Sequence, residues 1–185
     1  MIKANWMLTL GIAAVSMLFA PGASAGCGKT LVSRLSVLMP GAQMQDSPMA
    51  LAVNAEDATA PPGAIVGLWQ TKVLVNGQTA GEGFEAFTSD GLEFLNDNGS
   101  TIEGNVCFGA WTVAPRNTIK VYHPSWNYDA SGNLIGTVII KDQITLDPGG
   151  NSFKGTVVVD TYDLNGHMVG PELQAQYTGK RITAN

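Results

Sequence analysis

The run Leu134–Leu146, the turn Asp147-Pro148-Gly149-Gly150-Asn151 and the run Phe153–Tyr162 constrain the fold more than any other feature. Valine, isoleucine and threonine dominate both runs, and β-branched side chains favour an extended, pleated backbone. One proline and two glycines supply a sharp reversal between them, so the segment reads as a long antiparallel hairpin. Side chains alternate between the faces of a strand. Val138, Ile140, Ile144 and Leu146 therefore share a face, and the turn sets Phe153, Val157 and Val159 opposite them. The result is one continuous apolar wall.

The same grammar extends from Ala64 to the end of the chain. Ile65–Val75, Phe84–Thr88, Leu92–Leu95, Val106–Val113, Thr118–His123 and Leu173–Ile182 complete a set of eight short β-rich runs. Turns such as Ser89-Asp90-Gly91, Ala114-Pro115-Arg116-Asn117 and Leu164-Asn165-Gly166-His167 separate them, and 22 glycines and 9 prolines supply the turn chemistry. Eight sequential strands joined by short connections predict an all-β, small antiparallel domain, an eight-stranded up-and-down barrel or a meander closed on itself. Alternation places Ile65, Trp69, Val73 and Val75 on one face. It groups Cys107, Gly109, Trp111 and Val113 with Ile119, Val121 and His123, and aligns Leu173, Ala175, Tyr177, Gly179 and Arg181.

The first 63 residues have a different character. Lys3, the apolar run Met7–Ala20 and the small-residue site Ala23-Ser24-Ala25 make residues 1–25 a secretory signal peptide. Residues 26–63 read as a flexible linker, with a pro-segment as the competing reading. Leu31, Leu35 and Leu38 recur at helical spacing, which predicts a short helix over Thr30–Met39, ended by Pro40-Gly41. The barrel domain then occupies residues 64–185. The chain is expected to be exported, to the periplasm or the extracellular space. Cys27 allows two outcomes there. Ser24-Ala25-Gly26-Cys27 is similar to a bacterial lipobox, whose lipidated cysteine would anchor the domain to a membrane. Cleavage after Ala25 would instead leave Cys27 able to pair with Cys107 in an oxidising compartment.

Gly67-Leu68-Trp69 in the first run resembles the Gly-x-Trp signature that opens lipocalins. That resemblance implies an apolar-cavity barrel in which Gly67 and Trp69 are structural and a basic residue of the last strand, here Arg181, packs across the indole. The segment Asn105–Trp111 and the Asp147–Asn151 hairpin are similar to those of uncharacterised bacterial lipocalin-like proteins. The family's second motif is not matched in order by Thr161-Tyr162-Asp163.

Chemistry-bearing residues are few. A net charge of −5 and ten scattered basic residues argue against a nucleic-acid partner. No phosphate loop, no Cys/His metal spacing and no nucleophile elbow around Ser125 occur, so neither cofactor nor metal is expected. His123 and Asp142 fall among apolar neighbours, where a His–carboxylate pair would do acid–base work. The alternative has His123 ending its strand at the rim and Asp142 facing water at a bulge. Tyr122–Tyr128 reads as an aromatic loop, either pinned to the barrel by its own aromatics or roofing a barrel mouth with Trp126 and Tyr128 against a ligand. Trp111, His123, Trp126, Tyr128 and Tyr177 are thus the candidate ligand contacts.

The sequence favours an exported lipocalin-like binding protein that holds a small, mainly apolar ligand. A small isomerase- or cyclase-type enzyme using His123 and Asp142, and an envelope protein with a filled barrel, are the rivals. Nothing in the sequence sets an oligomeric state.

Overall fold

The computed structural model describes residues 27, 29–39, 61–101, 104–115 and 117–184. The expected signal peptide and most of the linker lie outside the described residues. One helix, α1 (Lys29–Leu38), and a 3-10 turn (Pro62–Ile65) precede eight strands. These are β1 (Gly67–Val75), β2 (Gln78–Phe87), β3 (Leu92–Asp97), β4 (Val106–Ala114), β5 (Thr118–Tyr128), β6 (Leu134–Leu146), β7 (Ser152–Asp163) and β8 (Leu173–Ile182). Each strand pairs antiparallel with the next, and β8 pairs with β1 to close the barrel. The eight-stranded up-and-down barrel read from the sequence is the fold.

The long hairpin takes the register that its apolar pattern predicts. Leu146 faces Phe153, Ile144 faces Gly155, Asp142 faces Val157 and Ile140 faces Val159. All eight side-chain positions on that wall point into the barrel and are buried, Gly155 included. Three boundaries differ from expectation. Ile65 is not in the first strand: it belongs to the 3-10 turn that Pro62 opens, and it is buried below the barrel. β2 starts six residues earlier than its apolar run, because Gln78 and Thr79 extend the hairpin from Asn76-Gly77, both at positive φ. β5 continues through Pro124 to Tyr128, so Tyr122–Tyr128 is strand and not a roofing loop. Proline is tolerated there because β4 pairs with β5 only as far as Tyr122, leaving Pro124 with a ladder on one side alone.

One end of the barrel is sealed by aromatic packing. The Trp69 ring meets Phe153 at 5.2 Å, and Phe153 meets Tyr177 at 5.4 Å. Trp69 is fully buried and its indole N–H donates to the Ile65 carbonyl at 2.7 Å. Arg181 lies over the indole with Cζ 4.2 Å from the ring centre. Its guanidinium donates to the carbonyls of Gly150 at 2.8 Å and Val66 at 3.0 Å, and to Ala64. Gly67 adopts φ +136°, and a Cβ there would stand 2.7 Å from Arg181 Nη1. The Gly-x-Trp spacing thus serves the Arg181 fork as well as the indole.

The opposite mouth is covered by α1. Its Leu31–Leu35–Leu38 stripe faces the barrel, and Leu35 is wholly buried in the core. Arg34 donates to the Ala80 carbonyl at 3.1 Å. A Cys27–Cys107 disulfide, with Cα atoms 5.4 Å apart, ties the chain just before α1 to the start of β4. The short helix expected over Thr30–Met39 is thus present as α1 and docks on the barrel mouth. A thiol in a disulfide carries no acyl chain, so this state of Cys27 is the unlipidated one.

Candidate functional site

Midway along the barrel the apolar lining gives way to a polar belt. Thr71 of β1, Glu85 of β2, Glu93 of β3, His123 of β5, Asp142 of β6 and Tyr177 of β8 all point inward and are buried. The register brings them level: Glu93 stands opposite Gly109 of β4, Val121 opposite Asp142, and Tyr177 opposite Val73. Six of eight strands contribute one residue each. Strand alternation makes this belt unavoidable once Trp69, Phe87, Val121, Ile140 and Ala175 face inward.

His123 is the hub. Its Nε2 lies 3.1 Å from Asp142 Oδ2, in a hydrogen bond, and its Nδ1 lies 2.9 Å from Glu93 Oε2. The second contact is an ion-pair contact, and it leaves Glu93 Oε1 without a partner. Tyr177 donates its hydroxyl to Glu85 Oε2, while Glu85 Oε1 is buried and also unpartnered. Two buried carboxylate oxygens, Glu85 Oε1 and Glu93 Oε1, have neither a hydrogen bond nor an ion-pair contact, where almost all such atoms in folded proteins are paired.

The electrostatics follow from this crowding. Burial pushes Glu85 well above the usual carboxyl range, and the charges of Glu93 and Asp142 push the same way. Burial also raises Glu93, opposed by the neighbouring imidazole. For His123, burial acts downward, but the contacts with Asp142 and Glu93 outweigh it and hold the ring well above its ordinary value. Burial and the Glu85 charge raise Tyr177 well above the phenol range. The belt therefore sets side by side a carboxyl, an imidazole and a phenol that each hold a proton more tightly than in water. Such a constellation can bind a polar guest through charge-assisted hydrogen bonds or pass it a proton.

A cavity of about 40 Å³ adjoins the belt, with His123, Asp142, Tyr177 and Thr71 on its inner wall and Leu31 and Arg34 of α1 on its outer wall. This is room for a few water-sized groups. It is far below the roughly 300 Å³ at which pockets for drug-sized molecules begin. An open cleft of about 400 Å³ lies at the rim, between Val32 of α1 and Tyr128, Ile135 and Val138.

The structure brings together His123, Asp142 and Tyr177 of the predicted site residues. His123 is mid-strand and 1% exposed, and Asp142 is 5% exposed, so the rim and bulge readings of these two residues are corrected. Trp111 lies elsewhere: it packs edge-on against Phe87 and donates its indole N–H to Thr88 O at 2.9 Å. Trp126 stands on the outer face, 61% exposed, because it is an even position in a strand whose odd positions face inward. Tyr128 lines the rim cleft. Glu85 and Glu93 were not anticipated. Their signal was present, since Glu85 lies two residues from the inward Phe87, but Phe84 and Phe94 beside them suggest the opposite facing. Those phenylalanines are on the outer surface, where Phe94 meets Phe108 edge-on at 5.6 Å.

No family model matches this chain, and neither a curated protein nor a solved structure does.

Proposed function

We propose that this chain is an exported barrel that encloses a small polar guest at the Glu85–Glu93–His123–Asp142–Tyr177 belt, beneath the α1 lid. The observation that carries the reading is the pair of buried, unpartnered carboxylate oxygens in this belt, Glu85 Oε1 and Glu93 Oε1. Leaving such atoms unsatisfied costs about 1–3 kcal/mol each, and a bound polar group would remove that penalty. The lipocalin-like resemblance of Gly67-Leu68-Trp69 supports a binding barrel; the belt favours a polar ligand over an apolar one. Export is supported by the leader ending at Ala25 and by the disulfide, a bond typical of oxidising compartments.

A second reading draws on the His123–Asp142 contact. An acid and a base held side by side suit an isomerase or cyclase that moves a proton within its substrate. Deuterium taken up from solvent into the guest would distinguish turnover from storage.

Native mass spectrometry of the full-length gene product, expressed with its leader, tests the main reading. The expected native mass is that of residues 26–185 with one disulfide, plus a guest that leaves on denaturation. Equal native and denatured masses would overturn the guest, and acyl chains on Cys27 would overturn cleavage after Ala25.

A further inference from the structure

The unpartnered atoms suit a more specific guest, and the argument rests on the reading just given. We propose that Glu85, Glu93 and His123 hold a divalent transition-metal ion of the zinc class, with Asp142 as the positioning residue behind the imidazole.

The first support is geometric. One ligand atom from each of Glu85, Glu93 and His123 can be chosen so that all lie within 4.8 Å of one another. Ligand atoms around a tetrahedral ion with bonds of about 2.1 Å are about 3.4 Å apart, so the carboxylates close on the ion by at most about 1.4 Å. His123 Nδ1 and Glu93 Oε2 are already 2.9 Å apart. With bonds near 2.1 Å that separation subtends an angle of about 90° at the ion.

The second support is independent of the cluster's composition. Glu85 Oε1 and Glu93 Oε1 are buried and have no partner, while His123 Nδ1 and Glu93 Oε2 have only each other, at 2.9 Å. Lone pairs that find no donor in a protein interior are what a cation satisfies. Meanwhile His123 Nε2 hydrogen-bonds to Asp142 Oδ2 at 3.1 Å. A ligating histidine characteristically gives its other N–H to a carboxylate, which fixes the tautomer and leaves the opposite nitrogen for the metal.

Space has also been left at this point. Gly109 faces Glu93 in the register, and a Cβ there would stand 2.6 Å from Glu93 Oε2 and 3.0 Å from His123 Nδ1. Any other residue would intrude on the two atoms that must share the ion.

The donor set selects the ion class. One imidazole nitrogen with two carboxylates suits zinc and its first-row neighbours, whereas magnesium and calcium favour all-oxygen shells with more ligands. The three residues come from three strands, so no short sequence spacing announces them.

The test is a titration of EDTA-stripped, disulfide-intact protein with zinc chloride, followed by calorimetry and by Tm. One equivalent is expected to bind and to raise Tm, with millimolar magnesium failing to compete. Glu93→Gln and Glu85→Gln should weaken zinc by about 100-fold or more, and Asp142→Asn by about 10–100-fold. Glu172→Gln, at an exposed position, should leave it unchanged. Gly109→Ala keeps every ligand and should still abolish binding. Cobalt chloride added to the wild-type protein gives a readout that does not depend on any variant folding: d–d absorption bands should grow to saturation at one equivalent. No cobalt bands and no calorimetric zinc binding would overturn the proposal. If the native mass spectrum then still shows a guest, the metal inference fails alone; if it shows the bare chain, the binding reading fails with it.

Discussion

Tyr177 on β8 donates its hydroxyl to Glu85 on β2, reaching past the strand that lies between them. Both groups are buried, which raises the cost of ionising each; the Glu85 charge adds to that cost for Tyr177, whereas the Tyr177 hydroxyl eases the ionisation of Glu85. The contact joins the aromatic end of the barrel, through Phe153, to the polar belt. Tyr177→Phe keeps the ring packing but strips Glu85 of its one donor. Denaturant unfolding should show a loss of about 1–3 kcal/mol. Glu85→Gln made in the same background should cost less than it does alone, because the two residues share one bond. Additive losses would show that the bond carries no coupling.

The Cys27–Cys107 bond closes a loop 80 residues apart in sequence, and a loop of this length is worth up to about 4 kcal/mol by chain entropy. Reduction should therefore lower stability and release α1 first. Hydrogen exchange of the α1 amides should rise on reduction while mid-strand amides of β6 and β7 stay protected. Unchanged protection in α1 would mean that its leucine stripe and Arg34 hold the helix in place without the disulfide.

Arg181 fills three carbonyls and covers an indole. Arg181→Ala should destabilise the barrel by about 2–4 kcal/mol, combining the lost cation–π contact with carbonyls left unpaired. Arg181→Lys should recover only part of this, since an ammonium cannot reproduce the planar fork. Full recovery in urea unfolding would reduce the role of Arg181 to its charge.

Glu85, Glu93 and His123 all keep their protons more tightly in the folded barrel than in the unfolded chain. The folded state then binds more protons, so stability falls as pH rises. For the two glutamates the loss begins above their ordinary value of 4.5. For His123 it begins above 6.5, and each contribution is gone once pH has passed the folded value. Asp90, Asp147 and Asp163 are shifted down and lose their contributions only below 3.8, outside this window. In EDTA the urea midpoint should decline between about pH 5 and about pH 8, more shallowly in Glu85→Gln. A midpoint that rises over this range would contradict the assignment.

The barrel was legible because its strongest signals are local. The Leu134–Tyr162 hairpin, the Trp69 face and the inward row from Leu173 to Arg181 each follow from alternation and turn chemistry alone. Half of the belt was legible too, since His123, Asp142 and Tyr177 interrupt rows of apolar residues. Glu85 and Glu93 were hidden because β2 and β3 invert the usual pattern, with Phe84, Leu92 and Phe94 outside and the glutamates inside. Their facing is set by closure of the whole barrel, which no local window contains. Docking of α1 was hidden for a similar reason: its leucine stripe was visible, but its partner surface forms only when distant strands meet.

The central claim is that the belt holds something other than water. A crystal structure of the barrel purified without chelator, with anomalous data collected above the zinc edge, addresses it directly. The account predicts non-protein density within bonding distance of His123 Nδ1 and of a carboxylate oxygen of Glu85 or Glu93. Ordered water alone beside His123 Nδ1, Glu85 Oε1 and Glu93 Oε1, with no anomalous signal, would contradict it.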